Sequence, residues 1–177
     1  MKKTLFKGCL AILGLLLVSS FVVAGDMAAP DEGSAEALMM MEVAQGPFSS
    51  LDEAKAKYKN GIPQDLIVLP QQESDAEPSY FVLKSAPVIS TIDVMEARIE
   101  DMHGHPAIGV SLSDAGAVKL GTFTEANIGK RLAIVLFGKV VSAPVIRAKI
   151  SRNALITGQF SMEEAEKTLK KINEALH

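Results

Sequence analysis

Apolar residues occupy every position from Leu132 to Phe137, so both alternating sets, Leu132/Ile134/Leu136 and Ala133/Val135/Phe137, are hydrophobic. Such a run predicts an inner strand covered on both faces. Gly138 follows at a place where a tight connection needs positive φ, and Val140 to Ile146 is expected to return as the partner strand of a hairpin. Pro144 lacks an N–H donor, which places that partner at an edge or a bulge. Ala154 to Phe160 reads as a third strand. Ser161, with Glu164 three residues on, then forms a capping box. The helix it opens carries Met162, Ala165, Leu169, Ile172 and Leu176 on one stripe, with Glu163/Lys167 and Glu166/Lys170 as i, i+4 pairs on the wet face.

Upstream, Tyr80 to Lys84 predicts a strand. Thr91 to Met102 predicts a helix, because Ile92, Met95, Ile99 and Met102 recur at helical spacing. Ala107 to Leu112 predicts another strand, and Ser113 caps a helix toward Asn127 that Gly116 and Gly121 weaken and that is expected to break near Thr122. Before these, Ser50 and Glu53 suggest a capping box on a short helix burying Leu51, Ala54 and Tyr58. Leu66 to Leu69 makes a short strand ahead of a polar loop, Pro70 to Pro78. Residues 25–47 are rich in small and acidic residues between Pro30 and Pro47 and read as a flexible tether. The C-terminal order is therefore β-α-β-α-β-β-β-α, an α+β two-layer sandwich with helices on one face of a mainly antiparallel sheet.

The N-terminus changes the cellular picture. Lys2, Lys3 and Lys7 precede an apolar stretch from Leu10 to Val23, and Val22-x-Ala24 offers small residues before a cleavage point. This is the pattern of a secretory signal, so the protein is expected to be exported and periplasmic, with an uncleaved anchor beginning at Gly8 as the alternative. Cys9 precedes the apolar core and cannot serve as a lipoprotein cysteine. The expected organisation is signal peptide 1–24, tether 25–47, helix-strand lead-in 48–78 and main domain 79–177. Removal of the three signal lysines takes the formal charge from −3 to −6, which argues against nucleic acid as a partner. Membrane contact is expected only through a retained N-terminal segment. The mature chain would hold no cysteine, so neither disulfides nor thiol chemistry are available.

Several motifs in fixed order resemble the head subdomain of SecD, a protein-export translocase subunit. Thr124 to Asn127 with Gly129-Lys130-Arg131-Leu132-Ala133-Ile134-Val135 is similar to the family's T-x-x-N-x-G-K/R opening. Gly138-Lys139-Val140-Val141-Ser142-Ala143-Pro144 resembles its G-K-V-x-S-A-P hairpin, and Ile156-Thr157-Gly158-Gln159-Phe160 with Glu163-Glu164-Ala165 resembles its I-x-G-x-F segment. Tyr80 to Lys84, Pro87 to Ile89 and Ala97-Arg98 resemble the approach to the head, so the likeness runs over about residues 80–176. Two departures stand inside it. Phe137 replaces the usual Asp or Asn before the hairpin glycine, and Ser151-Arg152-Asn153-Ala154 replaces a glycine-rich stretch.

Catalytic patterns do not appear in this sequence. No G-x-S-x-G elbow, phosphate-cradling glycine loop or H-E-x-x-H is found, so the chain is expected to be no enzyme and to need no cofactor. With a signal segment and at most one span beside this resemblance, the leading expectation is a stand-alone exported head-like module that binds protein or peptide, with Sec translocase components or unfolded exported proteins as partners. Phe137, Val140 and Val141 are the expected contacts, as a hairpin tip and a strand edge open to β-augmentation. The competing reading of that edge is protection, by Pro144 and the nearby Arg147 and Lys149. The alternative function is an envelope metal-binding or stress-related protein. His103 and His105 would supply two imidazoles and Met39, Met40 and Met41 soft ligands.

Overall fold

The structure is a computed structural model that describes residues 36–72 and 79–177. Its elements run β1 (Leu38–Phe48), α1 (Leu51–Ala56), β2 (Leu66–Pro70), β3 (Tyr80–Lys84), a 3-10 turn (Thr91–Asp93), β4 (Val94–Met102), β5 (His105–Leu112), α2 (Asp114–Ala126), β6 (Leu132–Leu136), β7 (Lys139–Ser142), β8 (Asn153–Ile156) and α3 (Met162–Leu176). The class is α+β, as expected, but the strands form two antiparallel sheets instead of one. Five strands order as β2-β3-β1-β6-β7 and three as β4-β5-β8.

All five residues of β6 are buried, and they split as the alternation requires. Leu132, Ile134 and Leu136 enter a core shared with the three-stranded sheet, α2 and α3. Ala133 and Val135 face a second core with Met41, Leu69, Phe81, Leu83 and Val140. The two edges of the larger sheet meet. Gln71, just past β2, bridges in parallel to Val140 of β7, and the Gln72 N–H donates to the Val140 carbonyl at 2.8 Å. The five strands thus wrap around the second core.

Four expectations are corrected. The tether reading fails from Leu38 onward. That segment is an inner strand pairing with β6 through Leu38↔Leu136 to Glu42↔Leu132, and with β3 on its other side. Met40 and Met41, each 1% exposed, fill opposite cores, a task suited to unbranched, adaptable side chains. The helix expected over Thr91 to Met102 is a single 3-10 turn and strand β4. Ile92 and Met95, which the helical stripe would bury, are 88% and 67% exposed, whereas pairing with β5 buries Val94 and Ala97. A two-residue turn, His103 (φ 58°) and Gly104 (φ 85°), makes that hairpin, with both residues in the left-handed region such turns demand. β8 joins β5 of the smaller sheet and not the β6–β7 hairpin. Finally, α2 continues unbroken through Gly121 and Thr122 to Ala126.

Where local chemistry dominates, expectation and structure agree. Ser113 and Ser161 cap α2 and α3, and Ser161 with Glu164 closes a full capping box. Ser50 caps α1, while Glu53 bonds Ser49 instead of completing a box with Ser50. On α3, Ala165 and Ile172 are buried but Met162 is 53% exposed. The signal segment and residues 25–35 of the tether lie outside the described residues.

Candidate polypeptide-binding cleft

The family-like motifs perform structural work around one loop. The Thr124 hydroxyl donates to the Leu120 carbonyl at 2.7 Å and accepts from the Ile150 N–H at 2.9 Å, tying the 143–152 loop to α2. Asn127 donates from its side chain to the Phe123 carbonyl at 2.8 Å and closes the helix. Gly129, at φ 89°, takes a conformation that costs other L-residues about 1–2 kcal/mol, and its N–H donates to the Ile146 carbonyl. Lys130 then pairs with Glu42 at 3.1 Å. Below this loop lies an apolar cavity of about 410 Å³, lined among others by Met40, Leu120, Leu132, Ile134, Ile146 and Leu155.

The three expected contacts lie in one strip but differ in what they offer. Phe137 (φ 49°) and Gly138 (φ 78°) form the β6–β7 turn. The Phe137 ring is half-buried against the first core, with Lys171 Nζ 5.2 Å from its centroid, a cation–π contact. It is neither a free hairpin-tip aromatic nor fully packed. Val140 is fully buried and its carbonyl is already taken by Gln72, so neither its side chain nor that edge position is open to a ligand. Val141 is half-buried and reaches the surface beside Gly158.

Two clefts flank this strip and share Gln72. One, of about 310 Å³, lies between the hairpin and α3 and is lined by Phe137, Lys139, Glu164, Lys167, Thr168 and Lys171. Glu164 is held below the usual glutamate range by hydrogen bonds from the Ser161 backbone and then its hydroxyl, so it stays ionised among those lysines. The other, of about 320 Å³, lies between β7 and residues 157–159 and is lined by Gln71, Gln72, Val141, Ser142, Thr157, Gly158 and Gln159. Sequence reasoning missed the glutamines and Thr157. Nothing local marks them, since two distant segments bring them to β7.

His103 and His105 sit exposed at the β4–β5 turn, on the hairpin that Met102↔His105 closes. The methionines imagined as their soft co-ligands are strand residues instead, with Met40 and Met41 in the cores. Among the described residues, no three His, Cys, Asp or Glu side chains converge as a metal site.

A family model described as "SecDF, P1 head subdomain" matches residues 67–174, more than half of the chain. The chain belongs to the SecDF P1 head subdomain family. The protein translocase subunit SecD of Aquifex aeolicus is 48% identical over 102 residues, covering 57% of this chain and 20% of that protein. SecD of Elusimicrobium minutum is 31% identical over 150 residues, covering 74% of this chain and 31% of the relative. A solved structure of SecDF in a super-membrane-facing form superimposes with TM-score 0.54 at 30% identity, covering 76% of this chain and 18% of that one. A second, described as a membrane component SecDF that enhances protein export, gives 0.53 at 30% identity over 77% of this chain and 62% of that one. The chain thus spans a fifth to a third of the curated relatives described. Among the described residues, no helix is long and apolar enough to cross a membrane.

Proposed function

We propose that this chain is an exported, periplasmic head module that binds protein or peptide and is accessory to Sec-dependent protein export. The observation that carries the proposal is the family match over residues 67–174, whose hairpin and 157–159 segment line the two clefts. Its partners are Sec translocase components or unfolded exported polypeptides. A solved relative is described as enhancing protein export, and a head would contribute client contact to such a process. The reading is of a binding module without catalysis. Phe137 and Val141 remain its surface contacts along the hairpin, and Val140 serves as their buried support.

In vivo cross-linking followed by affinity capture of the full chain from the cell envelope tests the reading. Enrichment of translocase subunits or of exported precursors, identified by mass spectrometry, is the expected result. A capture in which neither class rises above a control carrying an unrelated exported domain sinks it.

A further inference from the structure

We propose that the cleft between β7 and residues 157–159 grips the main chain of an extended polypeptide through its amide groups, independently of side-chain identity. This rests on the export-client reading above and names the part of the client that is recognised.

Ser142 Oγ supplies the first argument. It is buried and has no hydrogen-bond partner among the described residues. A buried hydroxyl left unpaired is destabilising, so such a group calls for a ligand that satisfies it. The cleft that Ser142 lines is the one of about 320 Å³ described above.

The lining supplies the second. Gln71, Gln72, Ser142, Thr157 and Gln159 each carry both donor and acceptor capacity, and among the described residues no charged side chain joins them. Anionic ligands would need cations, and those line the neighbouring cleft as Lys139, Lys167 and Lys171. The matching ligand is neutral and alternates donors with acceptors, as every peptide unit does. Among the described residues, no aromatic ring lines the cleft to stack on a sugar face.

Position supplies the third. β7 is the outermost strand of the larger sheet beside β6, and β8, which leads into Thr157, is an outer strand of the smaller one. An extended chain lying between two sheet margins meets backbone and side-chain groups on both sides, the geometry of strand addition. Among the described residues, Gln71 and Gln72 cover this margin at Val140, and Ser142 lies beyond it. Gly158 fixes the spacing. A Cβ there would approach Phe160 Cε2 to 2.8 Å and Val141 Cγ1 to 2.9 Å, so a larger residue would force the 157–159 segment or these side chains to shift.

The test uses the full chain and fluorescence anisotropy with a labelled, uncharged peptide of alternating threonine and alanine. Its backbone N-methylated counterpart and maltotetraose are the comparison ligands. Saturable binding of the first peptide is expected, weakened at least tenfold by N-methylation and not competed by the sugar. Ser142→Ala and Gln159→Leu should each weaken it at least fivefold. Ser142→Ala should at the same time melt at the wild-type temperature or above, because it removes an unpaired buried hydroxyl, a result that loss of fold cannot mimic. Equal binding of the methylated peptide, displacement by maltotetraose, wild-type affinity in both variants, or no binding at all overturns the proposal. Envelope capture that still enriches clients under any of these outcomes leaves the wider reading standing and assigns it to another surface.

Discussion

Lys119 Nζ lies 2.8 Å from Asp93 Oδ1 and joins the first half of α2 to the 3-10 turn that precedes β4. Asp93 is 5% exposed. Its other oxygen accepts the Ser90 N–H at 3.2 Å, and its carbonyl accepts the Ser113 N–H at 2.8 Å. One buried residue therefore fixes the turn, the cap of α2 and the angle between them. Lys119→Met would leave the carboxylate with a backbone donor but no counter-charge. Because the lysine is half-exposed, the expected loss is about 1–2 kcal/mol, less than for a fully buried pair, measured by urea unfolding. An unchanged midpoint would show that water replaces the ammonium without cost.

Gly116 packs against the same residue. An added Cβ would stand 3.0 Å from both the Cβ and the backbone oxygen of Asp93. Alanine normally favours a helix by about 1 kcal/mol over glycine, yet here the clash is with backbone and cannot be relieved by a rotamer change. Gly116→Ala should therefore destabilise, by about 1–3 kcal/mol in the same unfolding assay. A gain in stability would contradict the packing described.

Phe137 offers a test of opposed effects. A non-glycine residue at φ 49° carries strain of about 1–2 kcal/mol, and a half-buried ring recovers about 1 kcal/mol by area. Phe137→Ala loses the ring and keeps the strain, so it should cost about 1 kcal/mol. Phe137→Asn loses the ring but suits the left-handed turn, and should be more stable than the alanine variant. Thermal melting of both decides it, and an asparagine variant no better than alanine would indicate that the turn relaxes on its own.

Met40 and Met41 separate a strand from a tether. Each should lose about 2–5 kcal/mol on replacement by alanine, as buried side chains do, whereas tether residues would be silent. Equilibrium unfolding of the two single variants provides the comparison.

Acid should reveal the cap of α3. Hydrogen bonds from Ser161 hold Glu164 below its ordinary value of 4.5. A depressed folded-state pKa means that the contribution is fully present above the unfolded value and is lost as pH falls through the folded one. Wild type should therefore melt higher than Glu164→Gln at pH 7, and the two curves should converge below pH 4.5. A difference that persists undiminished into that range would place the stabilisation elsewhere than in the ionised carboxylate.

Local chemistry was legible wherever a few neighbouring residues determine the outcome. Ser113 and Ser161 announce their helices because a hydroxyl satisfies donors three residues away. Leu132 to Leu136 announces a doubly covered strand because no other placement hides apolar groups on both faces. Gly138 announces a turn, and the family motifs announce kinship. Of the clefts, the strip from Phe137 to Val141 was readable as a hairpin.

Only the assembled chain decides the rest, because hydrogen-bond partners far apart in sequence override local periodicity. Leu38–Phe48 has the composition of a tether until β6 and β3 supply its ladders from either side. Val94–Met102 has helical spacing, yet the His103-Gly104 turn folds it onto β5 and leaves Ile92 and Met95 in water. Gln71, Gln72, Ser142 and Gln159 carry no joint signal along the chain. They become one polar cleft because two sheet margins close on each other, and that meeting is a property of the fold.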